Sequence, residues 1–210
     1  MIDLHKKDGL WTVTLNRPEK ANALTRPMLE ELSEIADATH NQANGVQVLV
    51  LTGAGRVFSA GADLEAARAG LATDSIWERL SGLIASSPCL TIAALNGTLA
   101  GGAFGMVLAC DLRLAVPNAK FFYPVMKLGY LPQPSDPARL AELAGPSRAK
   151  LILMGGAKLT TREALACGLV DRVCSPETLL GEARALAADS LAAGPKLVRQ
   201  IKAQIRTGHA

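Results

Sequence analysis

Residues 89–111 read CLTIAALNGTLAGGAFGMVLACD. The run carries no charge before Asp111, yet Asn96-Gly97 and Gly101-Gly102 interrupt it. An unbroken apolar run of this length is a candidate membrane span. The two glycine-containing breaks predict instead a strand, a glycine-rich turn and a buried helix inside a globule. Glycine lets a backbone come close to a ligand, and a helix start presents N–H groups with no intrahelical partner. Such donors suit an anionic oxygen. The stretch is therefore a candidate place to do chemistry on a carbonyl.

A second glycine loop lies upstream, in LVLTGAGRVFSAGADL at 49–64. A strand followed by G-x-G invites a dinucleotide-binding interpretation, but the third glycine would fall at Phe58 and the fingerprint fails. Around the two loops the pattern alternates. Trp11, Val13 and Leu15 on one side of Asp8-Gly9 predict a hairpin over residues 1–15. Thr25 is a candidate N-cap for a helix carrying Met28, Leu32, Ile35 and Ala36. Strands are expected at 46–52, 90–95 and 111–116, and helices at 74–86 and 101–109. From Pro137 onward the pattern is helical, at 137–144, 147–154, 161–167, 176–192 and 196–206. The fold class is α/β followed by α.

The chain has 210 residues, 49% of them apolar and 20% charged, a balance that suits one domain with a substantial core. Its net charge of +3 comes without a Lys/Arg block, so no nucleic-acid partner is expected. The N-terminal MIDLHKKDGLW lacks the apolar segment of a secretory signal, and no membrane association is expected. Cys89, Cys110, Cys167 and Cys174 form no C-x-x-C pair, which predicts reduced thiols, no metal site and a cytoplasmic protein.

FSAGADL and NGTLAGGAFGMVLACDLRLA together resemble the crotonase, or enoyl-CoA hydratase/isomerase, family. The resemblance extends to LNRPEKANALT at 15–25, PVMKLGYLP at 124–132 and GPSRAKLILMGGAKLTTREALACGLVDRV at 145–173, in the family's order. It implies one crotonase-type domain: a spiral of ββα units over 1–136 and a helical part over 137–210, shorter than is usual. It implies an acyl-CoA thioester substrate, with coenzyme A entering as part of that substrate and no tightly bound cofactor. By motif position, the backbone N–H groups of Ala62 and Gly102 would hold the thioester oxygen. Lys20, Ala21, Asn22 and Ala23, with Ala60, Gly61, Ala62, Asp63 and Leu64, would follow the pantetheine and adenine. Gly102, Pro124 and Val125 would complete the binding site. The resemblance also implies a homo-oligomer, a trimer or a dimer of trimers.

Two positions depart from the pattern. Hydratases of the family carry one glutamate where this chain has Gly105 and another where it has Val125. Neither residue moves a proton, so ordinary hydration is not expected. Other branches place an aspartate in the following loop, near Gln133, which makes Asp136 a candidate acid or base. Asp136-Pro137 before Ala138-Arg139-Leu140 also makes an N-cap with proline at the first helical position, and capping is the preferred expectation. Tyr123, Lys127, Tyr130 and Glu65 are weaker polar candidates. His5, His40 and His209 fall outside the motifs and are expected at the surface, and Cys110 has no base beside it. The function expected is an acyl-CoA-binding enzyme of the lyase/isomerase kind, with a catalytically silent CoA-thioester binder or assembly partner as the alternative.

Overall fold

A computed structural model describes residues 1–207; His209 lies outside the described residues. β1 (Ile2–Lys7) and β2 (Leu10–Leu15) form the expected hairpin, with Ile2 opposite Leu15 and Lys7 opposite Leu10. Asp8 and Gly9 both have positive φ, as a two-residue turn between right-twisted strands requires. Trp11, Val13 and Leu15 point into the core. α1 (Arg26–Ala38) follows, and Thr25 occupies its N-cap position without a capping hydrogen bond from its side chain.

The chain then winds through a repeating strand–strand–helix unit. β3 (Val48–Gly53) and β4 (Val57–Ser59) lead to α2 (Leu64–Arg68) and α3 (Ile76–Ser86). β5 (Leu90–Leu95) and β6 (Thr98–Ala100) lead through a 3-10 turn at Gly101–Ala103 to α4 (Phe104–Leu108). β7 (Leu112–Ala115) and β8 (Lys120–Phe122) lead to α5 (Val125–Leu128). The first strand of each unit joins a six-stranded sheet and the second joins a four-stranded one. β3, β5 and β7 pair in parallel in the large sheet, and β4, β6 and β8 in the small one. β3 and β5 bury nearly every residue, as strands covered on both faces do.

The remainder is α6 (Asp136–Ala144), α7 (Pro146–Leu153), β9 (Leu159–Thr160), α8 (Thr161–Ala166), β10 (Arg172–Val173), α9 (Leu179–Leu186), α10 (Ala188–Ala193) and α11 (Pro195–Thr207). The single helix expected at 176–192 is two, parted at the fully buried Ala187. The strands of the small sheet fit the ββα units that the resemblance implies, but periodicity did not mark them. At three residues each, β4, β6 and β8 are too short to display alternation. No helix among the described residues is long and apolar enough to cross a membrane.

One buried side chain ties the first turn of the spiral together. Asn22 is fully enclosed and has φ 53°. Its Oδ1 accepts from the Arg17 amide at 2.8 Å, while its Nδ2 donates to the carbonyls of Ala54 and Val57 at 2.9 and 2.7 Å. Asn22→Ala takes away the side-chain partner of the part-buried Arg17 amide and Ala54 carbonyl and leaves the Val57 carbonyl with Asn96. Each group left unsatisfied costs about 1–3 kcal/mol. The variant is expected to melt well below the wild type in thermal unfolding followed by circular dichroism. An unchanged melting temperature would show that the clamp carries no stability.

Candidate active site

The two glycine loops meet backbone to backbone. Ala60-Gly61-Ala62-Asp63 joins β4 to α2, and Gly101-Gly102 joins β6 to α4. Gly61 has φ 90°, and a Cβ built on it would stand 2.9 Å from the Ala100 carbonyl oxygen and 3.3 Å from the Gly102 nitrogen. Glycine at 61 is therefore a condition of the contact.

Residue 62 is held like a residue in a strand. It forms a parallel bridge with Leu24, whose amide donates to the Gly61 carbonyl and whose carbonyl accepts from the Asp63 amide, both at 2.8 Å. In such a bridge the N–H and C=O of residue 62 itself face the opposite edge. That edge borders a cleft of about 400 Å³ whose wall includes Ala62, Gly102, Trp77, Tyr123, Val125 and Leu131. Trp77 is fixed by a 2.8 Å hydrogen bond from its indole N–H to the Leu71 carbonyl, and its ring would lie 3.3 Å from a Cβ on Gly102. The wall is mostly apolar and backbone, with Leu64 and Leu131 open to solvent at the rim.

The residues expected along the coenzyme A path divide into two groups. Ala60, Ala62, Leu64, Gly102, Pro124 and Val125 border the cleft. Lys20, Ala21, Ala23 and Asp63 are not part of its wall, and Lys20 is exposed. Asp63 has a structural engagement of its own. Its Oδ1 caps α2 by accepting from the amides of Glu65 and Ala66, and its Oδ2 pairs with Arg17 at 2.8 Å. The Arg17 hydrogen bond holds its carboxyl below the usual carboxylate range.

Asp136 corrects the preferred expectation. It is the first residue of α6, Ser135 holds the N-cap position, and the Asp136 side chain caps nothing. The carboxyl turns inward instead and is fully enclosed. Oδ2 accepts from the Tyr123 hydroxyl at 3.0 Å, and Oδ1 has no hydrogen-bond partner among the described residues. Burial raises its pKa from the ordinary 3.8 to about 7, against the pull of the Tyr123 hydrogen bond and of Arg139. Glu78 adds to the rise. A Cβ on Gly105 would stand 2.9 Å from Oδ1, so the bare position on α4 and the carboxyl from α6 fill one volume.

Tyr123 is the link between that carboxyl and the cleft. It is buried, borders the cleft, and stacks on Phe104 with ring centroids 5.4 Å apart. Of the remaining candidates, Tyr130 borders the cleft half-exposed, while Lys127 and Glu65 are solvent-facing. His5 and His40 are exposed, and the buried Cys110 thiol is pushed up to about 12 by burial. All cysteines are unbridged, and no cluster among the described residues could hold a metal ion.

Known proteins share this architecture and sequence. The sequence profile of the enoyl-CoA hydratase/isomerase family matches residues 5–209. A crotonyl-CoA hydratase of Syntrophomonas wolfei is 34% identical, the match spanning 99% of this chain and 82% of that protein. A short-chain-enoyl-CoA hydratase of Clostridium acetobutylicum is 32% identical over 99% of this chain and 81% of its own. The crystal structure of an enoyl-CoA hydratase from Bacillus anthracis superposes with a TM-score of 0.90 at 33% identity, covering 99% of this chain and 83% of that one. The strand–strand–helix spiral, the paired glycine loops and these matches together place the chain in the enoyl-CoA hydratase/isomerase family.

Proposed function

We propose that this chain is an enzyme that binds an acyl-CoA thioester in the cleft and stabilises negative charge on the thioester oxygen with the N–H groups of Ala62 and Gly102. The observation that supports the proposal is the contact of the two glycine loops at the cleft wall, with Ala62 and Gly102 both bordering the cleft. Enolate or tetrahedral chemistry puts charge on that oxygen, and a fixed donor there contributes about 2.7–4 kcal/mol of barrier reduction. Coenzyme A enters as part of the substrate, its phosphate-bearing end toward Lys20. The assembly that goes with this reading is a cytoplasmic homo-oligomer, a trimer or a dimer of trimers.

Ordinary hydration is not part of the proposal. Gly105 and Val125 offer no carboxyl, and each general acid or base contributes about 10²–10⁴-fold. Crotonyl-CoA is therefore expected to bind, with its thioester carbonyl stretch moved to lower frequency in the infrared spectrum. Its hydration is expected to run at least ~10²-fold below that of a relative with both glutamates. A bound carbonyl stretch identical to that in water would refute the oxygen-binding role. Rapid hydration would refute the exclusion.

A further inference from the structure

We infer that Tyr123 and Asp136 form a proton relay into the cleft, with Tyr123 touching the substrate and Asp136 acting behind it, and that the substrate is an acyl-CoA with a removable proton on the carbon beside the carbonyl. The inference rests on the acyl-CoA reading above and assigns the proton-handling groups that it lacks.

Three observations meet at this pair. A fully enclosed carboxyl leaves Oδ1 without a partner, and buried polar atoms are rarely left so. Helix capping does not account for it, since Ser135 occupies that position. The one hydrogen bond the carboxyl does accept comes from the hydroxyl of Tyr123, a residue that borders the cleft and whose ring is stacked on Phe104. The room for the carboxyl exists because position 105 has no side chain, as the 2.9 Å approach to Oδ1 shows.

Asp136 is suited to the task by its surroundings. Burial raises its proton affinity and Glu78 from α3 adds to the rise, outweighing the Tyr123 hydrogen bond and Arg139 from its own helix, so the carboxyl titrates near neutrality. A group poised there both takes and returns a proton. Tyr123 alone does neither, because burial and the neighbouring Asp136 hold its phenol far above its ordinary value.

The step balances within the pair and the substrate. The C–H bond on the carbon beside the thioester carbonyl breaks, and its electron pair moves into the carbonyl to form an enolate. The proton passes to Tyr123 Oη as the Tyr123 proton passes to Asp136 Oδ2. The enolate oxygen rests on the Ala62 and Gly102 amides. Reversal returns a proton to carbon, with no oxidant, metal or second substrate involved.

The test is deuterium uptake by butyryl-CoA in D2O, read by mass spectrometry on either side of pH 7, beside its dissociation constant from calorimetry. Wild type is expected to incorporate deuterium at the carbon next to the carbonyl, with a rate that rises with pH and levels above about 7. Asp136→Asn and Tyr123→Phe are each expected to lose about 10²–10⁴-fold in exchange while still binding butyryl-CoA. A merely structural pair would leave the pH profile in place in Tyr123→Phe, which removes one hydroxyl and keeps the stacked ring. Exchange in Tyr123→Phe at the wild-type rate and with the wild-type profile overturns the relay. Binding by wild type without exchange overturns the relay and leaves the acyl-CoA reading standing. No binding by wild type overturns both.

Discussion

Gly61→Ala is expected to lower thioester chemistry by about 10²–10³-fold, the effect of losing one oxyanion donor. The cause is geometric. At φ 90° an alanine is strained whatever room it has, at a cost on the order of 1–3 kcal/mol. It also has no room: the new Cβ would sit 2.9 Å from a backbone oxygen of the opposite loop, and backbone does not swing aside as a flexible side chain does. The loops must separate, and the two amides proposed to hold the thioester oxygen, those of Ala62 and Gly102, move apart. A melting-temperature loss of about 2–4 °C per kcal/mol should accompany the lost activity. Gly82→Ala is the control, because that glycine has open space around it inside α3. There the smaller backbone entropy of alanine should stabilise the protein by about 0.4–1 kcal/mol. Equal behaviour of the two variants in a melting and deuterium-exchange comparison would show that the loop contact does not set the donors.

Asp136 gives the second large expectation, in stability. Below pH 3.8 its carboxyl is protonated in both folded and unfolded chains and its burial adds no pH dependence. Between 3.8 and about 7 the unfolded chain ionises while the folded one keeps its proton, so stability falls as pH rises. Above about 7 the full penalty is in place, on the order of 4 kcal/mol at about 1.4 kcal/mol per tenfold change in proton affinity. Asp136→Asn removes the titration. Urea unfolding should therefore show the variant gaining on wild type as pH is raised through this window and running parallel to it above. Asp63, shifted the other way by Arg17, is present in both proteins and cancels in the difference. A difference between variant and wild type that does not change with pH would show that the folded carboxyl titrates normally.

Much of the spiral was legible in the chain, and the reasons are local. Buried parallel strands are apolar runs, and the breaks Asn96-Gly97 and Gly101-Gly102 fall at the ends of β5 and β6. The hairpin was legible because Asp8-Gly9 admits only a narrow set of turns. The glycine loops were legible as a pair, since each follows a strand and each matches a family motif. What stayed hidden depends on contacts between distant segments. Asn22 lies within a stretch expected to follow the ligand, yet its side chain is enclosed as a clamp between loops. Asp136 carries a strong local signal, the following Pro137, that suits a helix start whichever way the carboxyl turns. Its partner Tyr123 is thirteen residues earlier, across the α5 turn, and no periodicity links them. One clue was present: a glycine at 105 inside a buried helix is costly, and such a glycine usually makes room for something.

That room has a consequence for how members of such a family can differ. A side chain at 105 and the Asp136 carboxyl meet between α4 and α6, where a Cβ on Gly105 would stand 2.9 Å from Oδ1. Positions 105 and 136 are therefore one coupled choice and not two independent ones. Gly105→Glu made alone would bring its Cβ against the Asp136 carboxyl, which must shift to admit it.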